Sequence, residues 1–96
     1  MRTNQIGERL RRVTGVVTII LAKHDQTRPV GLDDDLARLG FTSIDMVELM
    51  LAVEGEFDLL IPPSDITTEN FRSIAAVDRL VARLCAESGE LGVEAA

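Results

Sequence analysis

Aromatic residues and cysteine are both scarce in this 96-residue chain, which has three Phe, no Trp, no Tyr and one Cys. A core without many aromatic side chains has to be filled by Leu, Val, Ile and Ala, a composition that suits helices. The single Cys has no partner for an internal disulfide, and it does not form zinc-site spacing with the single His. We therefore expect Cys85 to pack on the last helix or at its edge rather than to react.

Basic residues are also in the minority. Ten Lys and Arg residues stand against sixteen Asp and Glu residues, which gives a formal net charge of −6. A nucleic-acid-binding protein needs a basic surface to displace counterions from phosphates, so we expect no nucleic-acid partner. The apolar run from Val16 to Ala22 is too short to span a bilayer, and no signal peptide is evident. We expect a cytoplasmic monomer without membrane contact.

Length and apolar content limit the class of fold. Ninety-six residues suffice for one domain, and an apolar fraction of 46% indicates a folded core rather than disorder. A chain this short does not bury enough surface for a deep catalytic cleft. We predict a single domain over residues 4–85, followed by a frayed tail over residues 86–96 that has little periodicity.

Apolar residues at three- and four-residue steps predict three main helices, over roughly 4–24, 42–58 and 73–85. A long loop over 25–42 joins the first two, and one short helical turn over 64–69 precedes the third. The predicted fold is therefore all-α, a small bundle of three main helices and one short helix. Four apolar residues are expected to hold the long loop against the core: Leu32, Leu36, Leu39 and Phe41.

The predicted start of the second helix carries a capping signal. Thr42 is followed three residues later by Asp45, which fits a capping box with Asp in place of Glu. Ser43 could serve as the cap equally well. A serine at this position is also exposed, beside free N–H groups that favour an attached phosphate. From the residues alone, capping is the more ordinary role for Ser43.

The second helix has more apolar residues than a small bundle needs on one side. A second stripe of Ile44, Val47 and Leu51 lies apart from the one that would face the core. Because Asp45 and Glu48 share this helix, full burial is unfavourable. The pattern predicts an exposed apolar strip, flanked by carboxylates, that docks into a basic and apolar groove of a partner. The stripe expected to face the core consists of Met46, Leu49, Met50, Val53 and Phe57.

The segment from Leu39 to Leu49, LGFTSIDMVEL, resembles the attachment-site segment of the acyl and peptidyl carrier protein family. That family typically has Gly, a variable residue, Asp and then Ser-Leu or Ser-Ile before a mixed acidic and apolar helix. The likeness continues through EGEFD at 54–58 and Ile61-Pro62, and its broad pattern covers residues 6–85. Thr42 is a departure, because the family often has Asp at this position.

This resemblance implies a carrier protein and not an enzyme. It implies that Ser43 receives 4′-phosphopantetheine from coenzyme A through a magnesium-dependent phosphopantetheinyl transferase, and that the arm holds cargo as a thioester. Further partners would be an acyl- or amino-acid-activating ligase and a downstream transferase or synthase. The implied partner-recognition face consists of Thr42, Ile44, Asp45, Val47, Glu48 and Leu51.

Two kinds of cargo fit the sequence. The acidic second helix is similar to that of fatty-acid carriers, whereas the segment FRSI at 71–74 looks more like carriers of amino acids. We favour an aminoacyl cargo and a free-standing carrier loaded by a separate ligase. The alternatives are a fatty-acyl carrier of lipid synthesis and a helical interaction module that is never modified. A small enzyme is not favoured, because neither an acid/base pair nor an activated nucleophile is evident.

Two other groups of polar residues have ordinary interpretations. His24, near the end of the first helix, lies where positive charge is favoured, and we interpret it as a capping residue rather than a catalytic one. Asp33, Asp34 and Asp35 lack the ligand spacing and the later Glu of a calcium loop. We expect them to form a solvated acidic turn.

Overall fold

The computed structural model describes residues 2–24 and 29–95, and the side-chain surroundings of residues 7–24 and 29–87. Three α-helices follow one another along the chain: α1 (Arg2–Ala22), α2 (Ser43–Phe57) and α3 (Ile74–Ala95). Within the described ranges there is no strand, so the predicted all-α bundle with a long first loop is confirmed. None of these helices has an apolar stretch long enough to cross a membrane.

The connection between α2 and α3 is less helical than predicted. The expected short helix over 64–69 is replaced by two single 3₁₀ turns, Pro63–Asp65 and Glu69–Phe71. The Asn70 side chain donates a hydrogen bond to the Asp65 carbonyl at 2.8 Å. Side-chain bonds of this kind compete with a continuing helix for the same backbone acceptors, which explains why the two turns stay separate.

The helix ends agree with the sequence pattern for α1 and α2 but not for α3. The structure continues α3 to Ala95, so the predicted end near Cys85 is wrong. Gly89 and Gly92 each cost roughly 1 kcal/mol relative to Ala, but the Ala, Glu and Leu residues around them are strong helix formers. The domain boundary at residue 85 and the fraying of residues 86–96 stay predictions.

One apolar core lies between the three helices and the long loop. Its residues recur at three- and four-residue steps within each helix, as expected for faces that meet at the centre of a bundle. Phe71, from the second 3₁₀ turn, is also buried in it. The largest fully buried side chains are Val13, Val17, Leu36, Leu49, Val53, Ile74, Val77 and Val81.

The long loop is attached to the core by both side chains and main chain. Leu36 and Phe41 are buried as predicted, and Leu39 packs partly against the core. The Leu36 N–H donates to the Arg72 carbonyl at 2.8 Å, which joins the loop to the start of α3. The predicted anchoring by the Leu32 side chain is wrong, because that side chain is exposed. At Leu32 the main-chain carbonyl instead accepts a hydrogen bond from α3 at 2.9 Å.

Ion pairs join α1 to both of its neighbours at the edges of the core. Arg9 Nε lies 2.7 Å from a carboxylate oxygen of Asp78 on α3. Arg12 Nε lies 2.7 Å from Glu56 of α2, and its guanidinium group stacks 4.6 Å from the centre of the Phe57 ring. These contacts show which faces of α1 border α2 and α3.

Candidate functional site

Ser43 is the first residue of α2, and its side chain is exposed. Thr42 is the N-cap, and its hydroxyl accepts a hydrogen bond from the Asp45 N–H at 3.2 Å. In return, the Asp45 carboxylate accepts the Thr42 N–H at 2.9 Å. The predicted capping box is confirmed, with Thr42 rather than Ser43 as the cap. The Ser43 hydroxyl is therefore not required to begin the helix.

The first turn of α2 presents donors next to this hydroxyl. The N–H groups of Ser43 and Ile44 have no helical carbonyl to bond, as at the start of any α-helix. The N–H groups of Asp45 and Met46 are already used by the Thr42 hydroxyl and carbonyl. An anion attached to Ser43 would therefore lie beside two open N–H groups and the positive end of the helix dipole.

An open hollow of about 270 Å³ adjoins Ser43. Met46 and Met50 of α2 form part of one wall, and Ile66 and Phe71 form part of the other. Its lining is mainly apolar, apart from Ser43 and two threonines. A flexible group attached to Ser43 has room to lie along it.

Asp45 lies on a different side of α2 from Ser43. Residues two positions apart do not share a helix face, and Asp45 is only 4% exposed. Hydrogen bonds, above all from the Thr42 N–H and more weakly from His24, lower the pKa of Asp45, although burial acts in the opposite direction. The predicted membership of Asp45 in an exposed recognition face is therefore wrong, because its carboxylate is turned inward to the cap and to α1.

His24, two residues after the end of α1, is the residue that meets Asp45. Its Nε2 lies 2.8 Å from Asp45 Oδ2, so the ring joins the end of α1 to the start of α2 and does not act as the predicted cap of α1. Sequence reasoning missed this contact, because no local spacing relates two residues that lie 21 positions apart.

Lys23, which sequence reasoning did not single out, forms an ion pair with Glu48 of α2. Glu48 is only partly exposed, and its carboxylate is engaged within the chain. Glu48 and Asp45, which were predicted to flank the apolar strip, are thus bound within the chain by two consecutive residues, Lys23 and His24. The strip is less acidic towards a partner than the sequence indicated.

The apolar strip itself is exposed, as the sequence predicts. Ile44 is 74% exposed, Val47 52% and Leu51 56%. Thr42 is also exposed at the start of the helix. These residues stand together with Ser43 at the solvent-facing side of α2, and their recognition by a partner stays a prediction.

The other candidate residues are separate from this site. Cys85 is an exposed residue of α3. In the acidic turn, Asp34 accepts the Gly31 N–H at 2.7 Å and Asp35 accepts the Ala37 N–H at 3.0 Å. Across residues 7–24 and 29–87, no three His, Cys, Asp or Glu side chains are grouped so as to hold a metal ion.

Comparison with known proteins gives a family match that includes Ser43 and α2. Residues 4–77 match the model of the family described as "Phosphopantetheine attachment site". Aminoacyl carrier proteins 2 and 1 of Bradyrhizobium diazoefficiens are each 44% identical to this chain over 70 residues. The matched part is 73% of this chain, and 79% and 78% of those two relatives.

Two crystal structures also contain a similar chain. They show the Bradyrhizobium japonicum glycine:[carrier protein] ligase, one complexed with its cognate carrier protein and an analogue of glycyl adenylate, the other with glycylated carrier protein. Sequence identity is 43% in both, and the TM-scores are 0.70 and 0.68. The similarity covers 78% and 75% of this chain, and 96% of the matched chain in each structure. The chain therefore belongs to the family of phosphopantetheine-dependent acyl and aminoacyl carrier proteins.

Proposed function

We propose that this protein carries aminoacyl groups as thioesters on a 4′-phosphopantetheine arm attached to Ser43, and that it performs no catalysis itself. The main support for the attachment site is the exposure of Ser43 at the first position of α2, where Thr42 already supplies the cap. The family match over residues 4–77 supports the cofactor, and the 44% identical aminoacyl carrier proteins support the cargo.

The surroundings of Ser43 fit a phosphodiester. Two open N–H groups at the start of α2 face the space beside its hydroxyl. The nearby Asp45 carboxylate is buried and hydrogen-bonded to Thr42 and His24, so it does not present its charge on that side. The adjoining hollow offers an apolar surface to the chain that would follow the phosphate.

The attachment is a phosphoryl-transfer step. The Ser43 oxygen bonds to the phosphorus of coenzyme A that bears pantetheine, the pyrophosphate bond breaks, and adenosine 3′,5′-bisphosphate leaves. The hydroxyl proton passes to a base of the transferase, which also supplies magnesium. When bound, the arm supplies a thiol that holds the cargo near the active sites of successive enzymes.

We infer that an amino-acid-activating ligase loads the arm. A chain 43% identical to this one occurs in crystal structures of a glycine:[carrier protein] ligase with its carrier protein. Glycine is therefore the first amino acid to test. We further propose that the ligase contacts Thr42, Ile44, Val47, Glu48 and Leu51, and we omit Asp45 because it is buried.

A fatty-acyl cargo is the second candidate function. The observation that favours it is the apolar hollow beside Ser43, between two methionines of α2 and Ile66 and Phe71. To separate the two candidate cargoes, the arm-bearing protein is offered glycine and fatty acids together, each with its own ligase, and the cargo it carries is identified.

The decisive experiment is incubation with coenzyme A, magnesium and a broad-specificity phosphopantetheinyl transferase, followed by intact mass measurement. We expect a gain of one phosphopantetheine in the unaltered protein and none in Ser43→Ala. No gain in the unaltered protein, or a gain that persists in Ser43→Ala, would refute the proposal. The absence of the arm in protein isolated from its own host would support an unmodified interaction module instead.

A further inference from the structure

We propose that the docking face of this carrier extends from α2 onto α1 through Ile19, and that its occupant is an apolar, uncharged surface of the ligase that loads the arm. This inference rests on the carrier function proposed above. It adds a specificity-determining residue from a helix that sequence reasoning assigned only to the core.

The position of Ile19 follows from two ion pairs. Residues seven positions apart lie on one face of a helix, so Arg12 and Ile19 share a face of α1, and Lys23 follows just after the end of the helix. Arg12 pairs with Glu56 and Lys23 pairs with Glu48. Both pairs cross to α2, and they show that this face of α1 borders α2.

The same ion pairs indicate which turn of α2 lies beside Ile19. Lys23 is opposite Glu48 and Arg12 is opposite Glu56, so the two helices are antiparallel. Ile19 precedes Lys23 by one helical turn, and the corresponding level on α2 is therefore one turn after Glu48. Leu51 is at that level, so Ile19 and Leu51 are exposed at the same height on two neighbouring helices.

Ile19 does not belong to the apolar core, so packing in the core does not explain why this residue is apolar. It is 67% exposed, whereas the core positions of this part of α1 are taken by Val17, Ile20 and Leu21. A single exposed aliphatic residue is ordinary on a protein surface. An exposed isoleucine at the same height as the exposed Leu51 would instead extend the apolar strip of α2 onto a second helix, and extended apolar surfaces are typical of interaction sites.

Gly55 leaves open space on α2 beyond Leu51. It lies one turn after Leu51 within α2, and a Cβ atom placed on it would meet nothing within 4 Å apart from its chain neighbours and the backbone of its own helix. The fold therefore does not require a glycine there, although glycine disfavours the helix by about 1 kcal/mol. A partner that approaches α2 closely would benefit from the missing side chain.

The charges along the border of α1 and α2 indicate the chemistry of the occupant. Glu48 and Glu56 are already paired with Lys23 and Arg12, so this border is close to neutral in a chain whose net charge is −6. A strongly basic partner surface would have few open carboxylates to meet here. An apolar and uncharged surface is complementary to the exposed side chains.

The size of the face favours a transient enzyme contact over a second copy of this chain. Stable interfaces have about 20 or more residues on each side, whereas only a few large apolar side chains are exposed here. The face consists of Ile19, Ile44, Val47 and Leu51.

The test is glycylation of the full, arm-bearing chain by the Bradyrhizobium japonicum glycine:[carrier protein] ligase, with kcat/KM measured as carrier concentration is varied. The variants are Ile19→Glu, Leu51→Glu and the matched control Leu60→Glu, which makes the same change at an exposed residue outside α1 and α2. We expect Ile19→Glu and Leu51→Glu to lower kcat/KM about tenfold or more, mainly through KM. Leu60→Glu should stay within about twofold of the unaltered chain.

Several outcomes would overturn the inference. If Leu51→Glu impairs loading and Ile19→Glu does not, the face is confined to α2. Equal losses in all three variants, or no loading of the unaltered arm-bearing chain, would also contradict it. Intact mass measurement before loading reports arm attachment separately, so failure of the proposed function is recognised at that earlier step. Circular dichroism of each variant verifies that the helices are intact.

Two further measurements examine the occupant. The KM should change little between about 0.05 and 0.5 M NaCl, because screening weakens contacts between charges and not apolar ones. A steep rise in KM with salt would contradict an uncharged partner surface. Sedimentation of the unaltered chain should show a monomer, and a dimer that Ile19→Glu dissociates would assign the face to a second copy instead.

Discussion

The ring of His24, just after α1, is hydrogen-bonded to the carboxylate of Asp45 in the first turn of α2, with 2.8 Å between Nε2 and Oδ2. The same oxygen accepts the N–H of Thr42 at 2.9 Å. The cap that orients Ser43 is therefore attached to the neighbouring helix. Exposure of the serine and burial of the aspartate two residues later are two consequences of the same local geometry.

Replacing Asp45 by Ala should lower the free energy of unfolding by about 1–2 kcal/mol. The change removes one half of the capping box and leaves His24 and the Thr42 N–H without their acceptor. Urea unfolding followed by circular dichroism measures the loss. Asp33→Ala, at an exposed position of the acidic turn, is the control and should be nearly neutral. Equal effects of both changes would contradict a role of Asp45 in the cap.

The stability of the protein should depend on Asp45 in acid. Because folding lowers the pKa of Asp45 below its ordinary 3.8, the charged carboxylate stabilises the folded state. That stabilisation is present above the unfolded value of 3.8 and is lost as the pH falls through the lower folded value. Melting temperatures of the unaltered protein and Asp45→Asn should therefore converge below about pH 4. A difference that is constant down to about pH 2 would show that the carboxylate charge is not the cause.

Replacing Gly55 by Ala should raise the free energy of unfolding by about 1 kcal/mol, since the new methyl group enters open space within α2. Gly40→Ala is the matched comparison. Gly40 has a φ angle of 111°, so the same substitution should destabilise the turn before Phe41. The urea midpoints of the two variants should therefore move in opposite directions. A shift in the same direction would contradict the expectation that only Gly40 needs to be a glycine.

Val47→Arg should weaken loading by the ligase while leaving the helix content unchanged. Val47 is 52% exposed on α2, so an arginine there is compatible with the fold but not with an apolar contact. Leu32→Arg provides a control at an exposed apolar residue of the long loop. Loading rates and circular dichroism spectra are compared for both variants. Unchanged loading of Val47→Arg would show that the exposed strip is not the docking face.

Most of the fold could be predicted from the sequence because its signals are local. Amphipathic periodicity and the Thr42–Asp45 capping pair lie within a few turns of chain, and they predicted α1 and α2 to within about two residues. The end of α3 was misjudged, since the tail has little periodicity, but its many strong helix formers continue the helix despite two glycines. The exposed strip of α2 was predictable because its apolar residues exceed what one buried face can hold.

The sequence by itself determined that this is a small helical carrier with Ser43 at the start of a helix, because helix periods, caps and the attachment segment are read from neighbouring residues. Only the tertiary structure decided what the flanking acids do. Lys23 and His24 reach Glu48 and Asp45 because α1 packs antiparallel to α2. Contacts between residues more than twenty positions apart depend on how the helices pack, and no local pattern encodes them.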